Sequence, residues 1–130
     1  MSQPGGPGLA AQLITIRRVG DIVVSDVSRG VLNRVEAFQR WTEEMRAFIE
    51  TMKEKRLVVN LGGDAYLPGP LSHALLVLHR EAMKEKRRFA VCEVNAENFK
   101  VIRAARLHKV ISFAEKEREA IVLVRAKTQK

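Results

Sequence analysis

The chain has 130 residues, 46% of them apolar, with one cysteine and a formal charge of +8. That length and composition suit one packed domain and argue against disorder over most of the chain. They exclude an internal disulfide, and no apolar run approaches the roughly 20 residues needed to cross a bilayer.

The first residues, Met1–Gly8, are rich in Gly and Pro and lack the cationic and apolar regions of a secretory signal. Residues 1–11 are therefore read as a flexible leader of a cytoplasmic protein. Leu13-Ile14-Thr15-Ile16 and Ile22-Val23-Val24-Ser25 favour strands, and Gly20-Asp21 between them predicts a hairpin. Asn33 is placed to cap a following helix.

Val35, Phe38, Trp41, Met45, Phe48, Ile49 and Met52 recur at steps of three or four. That spacing predicts a helix over 35–52 with all seven on its core face. Leu57-Val58-Val59-Asn60-Leu61 barely alternates, which predicts a strand buried on both faces. Gly62 to Pro70 contains three further breakers, Gly63, Pro68 and Gly69, and reads as a loop. Leu71, Ala74, Leu75, Leu78 and Ala82 mark a second amphipathic helix, with late cations suited to its negative end.

Phe89–Val94 predicts a further core strand. It contains Cys92, read as a buried small hydrophobe rather than a reactive thiol. Asn95 is placed to cap the next helix, with Asn98 at the third position. Val110–Phe113 predicts a short strand, and a last helix begins after Ser112 or Ala114, with Ala120, Ile121 and Val124 inward. Val122 and Leu123 leave an extended ending open there. The order ββαβαβαβα implies a mixed, mostly parallel sheet of four to five strands with about four helices.

Chemistry-bearing patterns are sparse. The Gly62-Gly63 and Pro68-Gly69-Pro70 segment matches neither nucleotide fingerprint, and proline removes the N–H donors that cradle phosphate. His73, His79 and His108 are not spaced as metal ligands, and Ser72-His73 is not a nucleophile–base pair because helical neighbours diverge by about 100°. The acids, Glu43, Glu44, Glu93 and Glu117 among them, are read as solvated faces. No enzyme, cofactor or metal is expected.

Positive charge gathers in the second half of the chain. Residues 1–65 hold nine basic and eight acidic side chains, whereas residues 66–130 hold fourteen and seven. Lys84, Lys86, Arg87 and Arg88 form one expected basic surface run. Lys100, Arg103, Arg106 and Lys109 form another, and residues 126–130 form a basic tail. No aromatic-rich sheet or helix-turn-helix pattern accompanies them, so electrostatic docking to an acidic protein is preferred over nucleic acid.

Over residues 12–125 the order of segments resembles the STAS domain, the fold of bacterial anti-sigma-factor antagonists and stressosome proteins. Leu57–Gly63 is similar to that family's strand, which usually ends in Asp-Leu-Ser-Gly. Tyr66–Leu71 stands where the family reads aromatic, aliphatic, Asp-Ser-Ser-Gly. Phe89–Phe99 resembles its fourth strand and next helix, and Leu107–Ile111 its Gly-Leu-aliphatic segment.

The resemblance implies a non-enzymatic regulator or scaffold that binds a sigma-regulatory or signalling protein, with a dimer or larger assembly as a further expectation. A small subunit of a membrane transport complex is the alternative it leaves open. In the family a partner kinase phosphorylates the second serine of the loop. Here Pro70 holds that position, Gly69 the first serine, Pro68 the aspartate, and Asn60 replaces the strand's aspartate. Pro70 cannot accept phosphate, and Ser72 would serve only in a shifted register. The expected docking surface comprises Asp64, Tyr66, Pro68, Gly69, Pro70, Leu71, Ser72 and His73, at the carboxyl end of the parallel strands. Tyr66 is open between a core and an interfacial role, and the prolines between docking and simply ending one element and starting the next.

Overall fold

The structure, a computed structural model, describes residues 14–27, 34–62 and 70–126. All of the leader, the basic tail beyond Ala126, the Asn33 cap and residues 63–69 of the loop lie outside these residues.

The hairpin forms as β1 (Thr15–Val19) and β2 (Ile22–Asp26). Gly20 takes a left-handed φ of 62° at the turn, a conformation costly for a residue with a Cβ. The remaining elements are α1 (Val35–Thr51), β3 (Arg56–Asn60), α2 (Pro70–Lys84), β4 (Arg88–Cys92), α3 (Ala96–Ala104), a 3₁₀ turn (Leu107–Lys109), β5 (Ser112–Ala114) and α4 (Glu117–Arg125). The sheet runs β1-β2-β3-β4-β5, antiparallel at β1–β2 and parallel thereafter. Among the described residues this is the ββαβαβαβα order read from the sequence, with five strands and four helices. No helix among the described residues is long and apolar enough to cross a membrane.

Alternation along the strands divides the core. Val23, Leu57, Val59, Phe89 and Val91 face α1 and α2, where Trp41 is fully buried and its ring stacks on Phe38 at 5.9 Å. Val24, Val58, Ala90 and Cys92 face α4, which meets them through Ala120 and Val124, four residues apart. Strands covered on both faces need no polar alternation, which is why β3 and β4 read as apolar runs.

Several boundaries differ from expectation. Val35 is 72% exposed, because the apolar stripe of α1 extends one turn beyond its covering. β4 stops at Cys92, where Glu93 adopts a φ of 60°. β5 starts two residues later than predicted, since Leu107–Lys109 winds into the 3₁₀ turn and leaves Val110 exposed. Val122 and Leu123 are helical. Asn95 caps α3 as predicted, its Oδ1 accepting the Asn98 N–H at 2.8 Å.

Arg87 departs most from the expected basic surface. Lys86 ends α2 at φ 60°, with the Lys86 and Arg87 N–H groups returning to the Met83 and Ala82 carbonyls. This Schellman turn points Arg87 inward. Only 8% of Arg87 is exposed, and its guanidinium donates to the Ile49 carbonyl at 2.7 Å and the Glu54 carbonyl at 3.1 Å. It is a buried cation at the carboxyl end of α1, where orphan carbonyls and the helix dipole favour positive charge. Arg88 is half-buried and donates to the Val124 carbonyl at 3.3 Å. Lys84, Lys86, Lys100, Arg103, Arg106 and Lys109 are exposed, as expected.

Candidate functional site

Parallel strands deliver their carboxyl ends, with the helices that follow, to one side of the sheet. Here β3 ends at Asn60, the chain turns at Gly62, and α2 begins at Pro70. Asn60 organises that turn. Its Oδ1 accepts the Gly62 N–H at 2.8 Å, while the Asn60 backbone carbonyl accepts the Val27 N–H at 3.0 Å. Gly62 sits at φ 87°, and a Cβ there would meet nothing nearer than the Val27 oxygen at 4.0 Å. Backbone conformation, not crowding, requires glycine.

The other end of the Asn60 amide enters a charged network. Asn60 Nδ2 donates to Glu117 Oε1 at 2.8 Å. Arg17 Nη2 donates to the same oxygen at 2.6 Å, and Arg17 also grips both carboxylate oxygens of Asp26 at 2.6 and 2.9 Å. The Glu117 N–H donates to Glu93 Oε2 at 3.1 Å. The network therefore ties β1, β2, β3, the end of β4 and the first turn of α4 together at the carboxyl edge.

Glu93 and Glu117, read from the sequence as solvated, belong to this network. The Arg17 hydrogen bond holds the Glu117 carboxyl below the usual carboxylate range against the opposing effect of burial, and Asn60 adds to the lowering. Arg17 is pushed upward by Asp26 first and Glu117 second. These residues escaped the sequence reading because Arg17 and Glu117 are 100 positions apart. One signal was available: an acid in a helix's first turn.

Of the eight expected docking residues, Asp64, Tyr66, Pro68 and Gly69 lie outside the described residues. Pro70 is the first residue of α2, where a missing N–H costs no helical bond. Ser72 is half-buried and His73 exposed. Leu71 is corrected: only 2% exposed, it belongs to the core under α1 and α2 and cannot offer its side chain to a partner. In its place, His73 joins Phe38, Gln39, Thr42, Arg46 and Val77 along an open groove between α1 and α2.

The site offers few reactive groups. Burial, with Glu117, Glu93 and Asp26 adding repulsion, pushes the Cys92 thiol up to about 12. It stays protonated near neutral pH and does not act as a thiolate nucleophile. Burial also lowers His79, which packs beside Phe89 with ring centres 6.2 Å apart. Glu50, Glu81 and Glu85 bring carboxylates together away from this edge, but Arg46 and Lys84 already stand 3.6 and 3.5 Å from Glu81.

No family model and no curated protein matches the chain. Solved structures do. A STAS domain protein from Planctomyces limnophilus, described as an anti-sigma-factor antagonist, superposes with a TM-score of 0.73 at 14% identity, covering 87% of this chain and 98% of its own. A variant of RsbS from Moorella thermoacetica gives 0.72 at 14%, covering 86% and 94%. A chain from the stressosome, described as a signal integration and transduction hub, gives 0.66 at 17%, covering 86% and 100%. The fold is therefore that of STAS domains.

Proposed function

We propose that this chain is a non-enzymatic protein-binding regulator or scaffold of the anti-sigma-factor-antagonist kind, acting in the cytoplasm and docking through the surface where α2 begins. The STAS fold supports the regulatory or scaffolding class, and the stressosome chain among the similar structures supports membership of an assembly. One observation carries the reading: Pro70 is the first residue of α2, and by the family resemblance it stands where those proteins carry a phosphate-accepting serine.

A phosphate at a helix start adds roughly −1.5 to −2 charges and changes what can dock there. Proline has no hydroxyl to receive it. Docking here is therefore constitutive, governed by the shape of the turn and the α1–α2 groove. The network of Arg17, Asp26, Asn60, Glu93 and Glu117 holds the carboxyl edge rigid beneath it, which lowers the ordering cost of association. The partner is a sigma-regulatory or signalling protein, and self-assembly into a dimer or larger particle accompanies it.

Affinity capture from the native organism, with cross-linking and mass spectrometry, tests this. A recurrent protein partner is expected, lost with a folded Gly69→Glu or His73→Glu variant. Incubation with extract and ATP is expected to leave Ser72 unmodified. Equal capture by the folded variants would reject the surface, and stoichiometric phosphate on Ser72 would reject constitutive docking. Recovery with membrane permease subunits instead would favour the transport alternative.

A further inference from the structure

Ligands of open α/β sheets gather where neighbouring strands send their following helices to opposite faces, because the diverging chains leave a crevice at the carboxyl ends. In this sheet α1, α2 and α3 pack on one face, α3 through Ile102, and α4 covers the other through Ala120 and Val124. Among the described residues the divergence therefore falls between β4 and β5. The ends of these strands are level, Cys92 opposite Ala114, and the Glu93 N–H still reaches the Glu115 carbonyl at 3.2 Å. Glu93 then turns at φ 60° and the two chains part.

The gap they leave has an apolar and a polar half. Val94, Ala96, Phe99, Phe113, Ala114 and Glu115 line a cleft of about 270 Å³. Phe99 and Phe113 meet edge to face in it, with ring centres 5.9 Å apart. An adjoining cleft of about 280 Å³ shares Val94, Ala96 and Glu115 and adds Glu93, Asn95 and Lys116. An apolar hollow that opens beside a few polar groups suits a small ligand with an apolar body and a polar head.

Charge selects the head. The chain carries +8 overall, yet the two segments that form the crevice, residues 93–97 and 115–119, hold five acids and two cations. Helix starts favour anions, and two border this crevice. Both already carry acids in their first turns, Glu97 on α3, and Glu117 and Glu119 on α4. Lys100 and Arg17 engage Glu97 and Glu117. Glu93 and Glu115, which line the polar cleft, have no ion-pair partner among the described residues. Glu93 gives Oε2 to the Glu117 N–H at 3.1 Å, which holds its carboxylate in place, and Glu115 is exposed at the mouth. An anion would meet repulsion from both acids, whereas a cation would be attracted.

We propose that the crevice between the ends of β4 and β5 binds a small amphipathic amine, its apolar group against Phe99 and Phe113 and its ammonium donating to Glu93 and Glu115. This site is separate from the start of α2 and does not depend on the function proposed for that region.

The probe is phenethylamine, titrated into the isotope-labelled full chain and followed by NMR, with phenethyl alcohol and phenylacetate as its neutral and anionic matches. The amine is expected to shift the Val94, Phe99, Phe113, Ala114 and Glu115 amides saturably, and to bind about tenfold or more tighter than phenylacetate, with the alcohol between them. Glu115→Lys, on the surface, is expected to weaken the amine about fivefold or more. Ala96→Leu, which fills the apolar cleft, is expected to weaken amine and alcohol alike. Absence of a saturable shift with the amine, equal or tighter binding of phenylacetate, shifts confined to another surface, or full binding by the folded Glu115→Lys protein would each overturn the proposal. So would trilysine, a cation with no apolar body, if it shifted the same amides more tightly than the amine.

Discussion

Replacing Asn60 by aspartate restores the residue usual at that strand position in the resembled family, yet it is expected to destabilise this chain. Asn60 donates to Glu117 Oε1 at 2.8 Å. Asn60→Asp keeps the acceptor for the Gly62 N–H but removes the donor and sets two carboxylates against each other. With charge centres about 4 Å apart, repulsion is ~4 kcal/mol at an effective dielectric of about 20 and ~1 kcal/mol in bulk water. The Glu117 side chain keeps 24% exposure and retains Arg17, so solvent screening places the repulsion at about 1–2 kcal/mol. Loss of a hydrogen bond to a charged acceptor adds about 1–2 kcal/mol. The total is about 3 kcal/mol near pH 7.

The deficit has a defined pH dependence. In the variant, a carboxyl ionises less readily folded than unfolded, so its folded pKa is raised. The penalty is therefore full above the raised value and disappears below the unfolded value near about 4. In the native chain Glu117 is shifted the opposite way. Its contribution is present above about 4.3 and is lost only as pH falls toward its lowered folded value. The gap between the two proteins should narrow as pH falls from about 6 to about 4. Urea unfolding followed by fluorescence of Trp41, the sole tryptophan and fully buried, measures it. Adding Glu117→Gln to Asn60→Asp should recover at least half of the loss. A gap below about 1 kcal/mol, or one that is constant with pH, would refute the network's role.

Arg87→Met should cost about 3 kcal/mol in the same assay, because the Ile49 and Glu54 carbonyls lose a charged donor in a buried site; an effect within about 0.5 kcal/mol would show a surface cation after all. Lys86→Gly should raise stability by about 0.5–1 kcal/mol, since glycine accepts the left-handed turn that ends α2 without steric cost. Circular dichroism melting checks this, and an unchanged or lower midpoint contradicts it. Cys92 should resist iodoacetamide in the native protein near pH 8 and react readily in denaturant, as a buried thiol raised to about 12 requires; rapid native alkylation, read by mass spectrometry, would disprove it.

The sequence determined the order of elements, because that order follows from local physics. Three-or-four spacing marks Phe38, Trp41, Met45 and Ile49 as one face of a helix, and Gly20 and Asn95 mark a turn and a cap. It also shows proline at position 70, a residue without a hydroxyl, which is a covalent fact independent of fold. It did not show that Arg87 is a buried donor, or that Arg17, Asp26, Asn60 and Glu117 meet. Those depend on rotations and contacts between elements far apart in the chain: a left-handed Lys86 aims Arg87 at α1, and the parallel register Asp26 to Asn60 brings the carboxyl ends level. A pattern repeating every two or three residues carries no record of which distant side chain will face it. Only closing the sheet decides that.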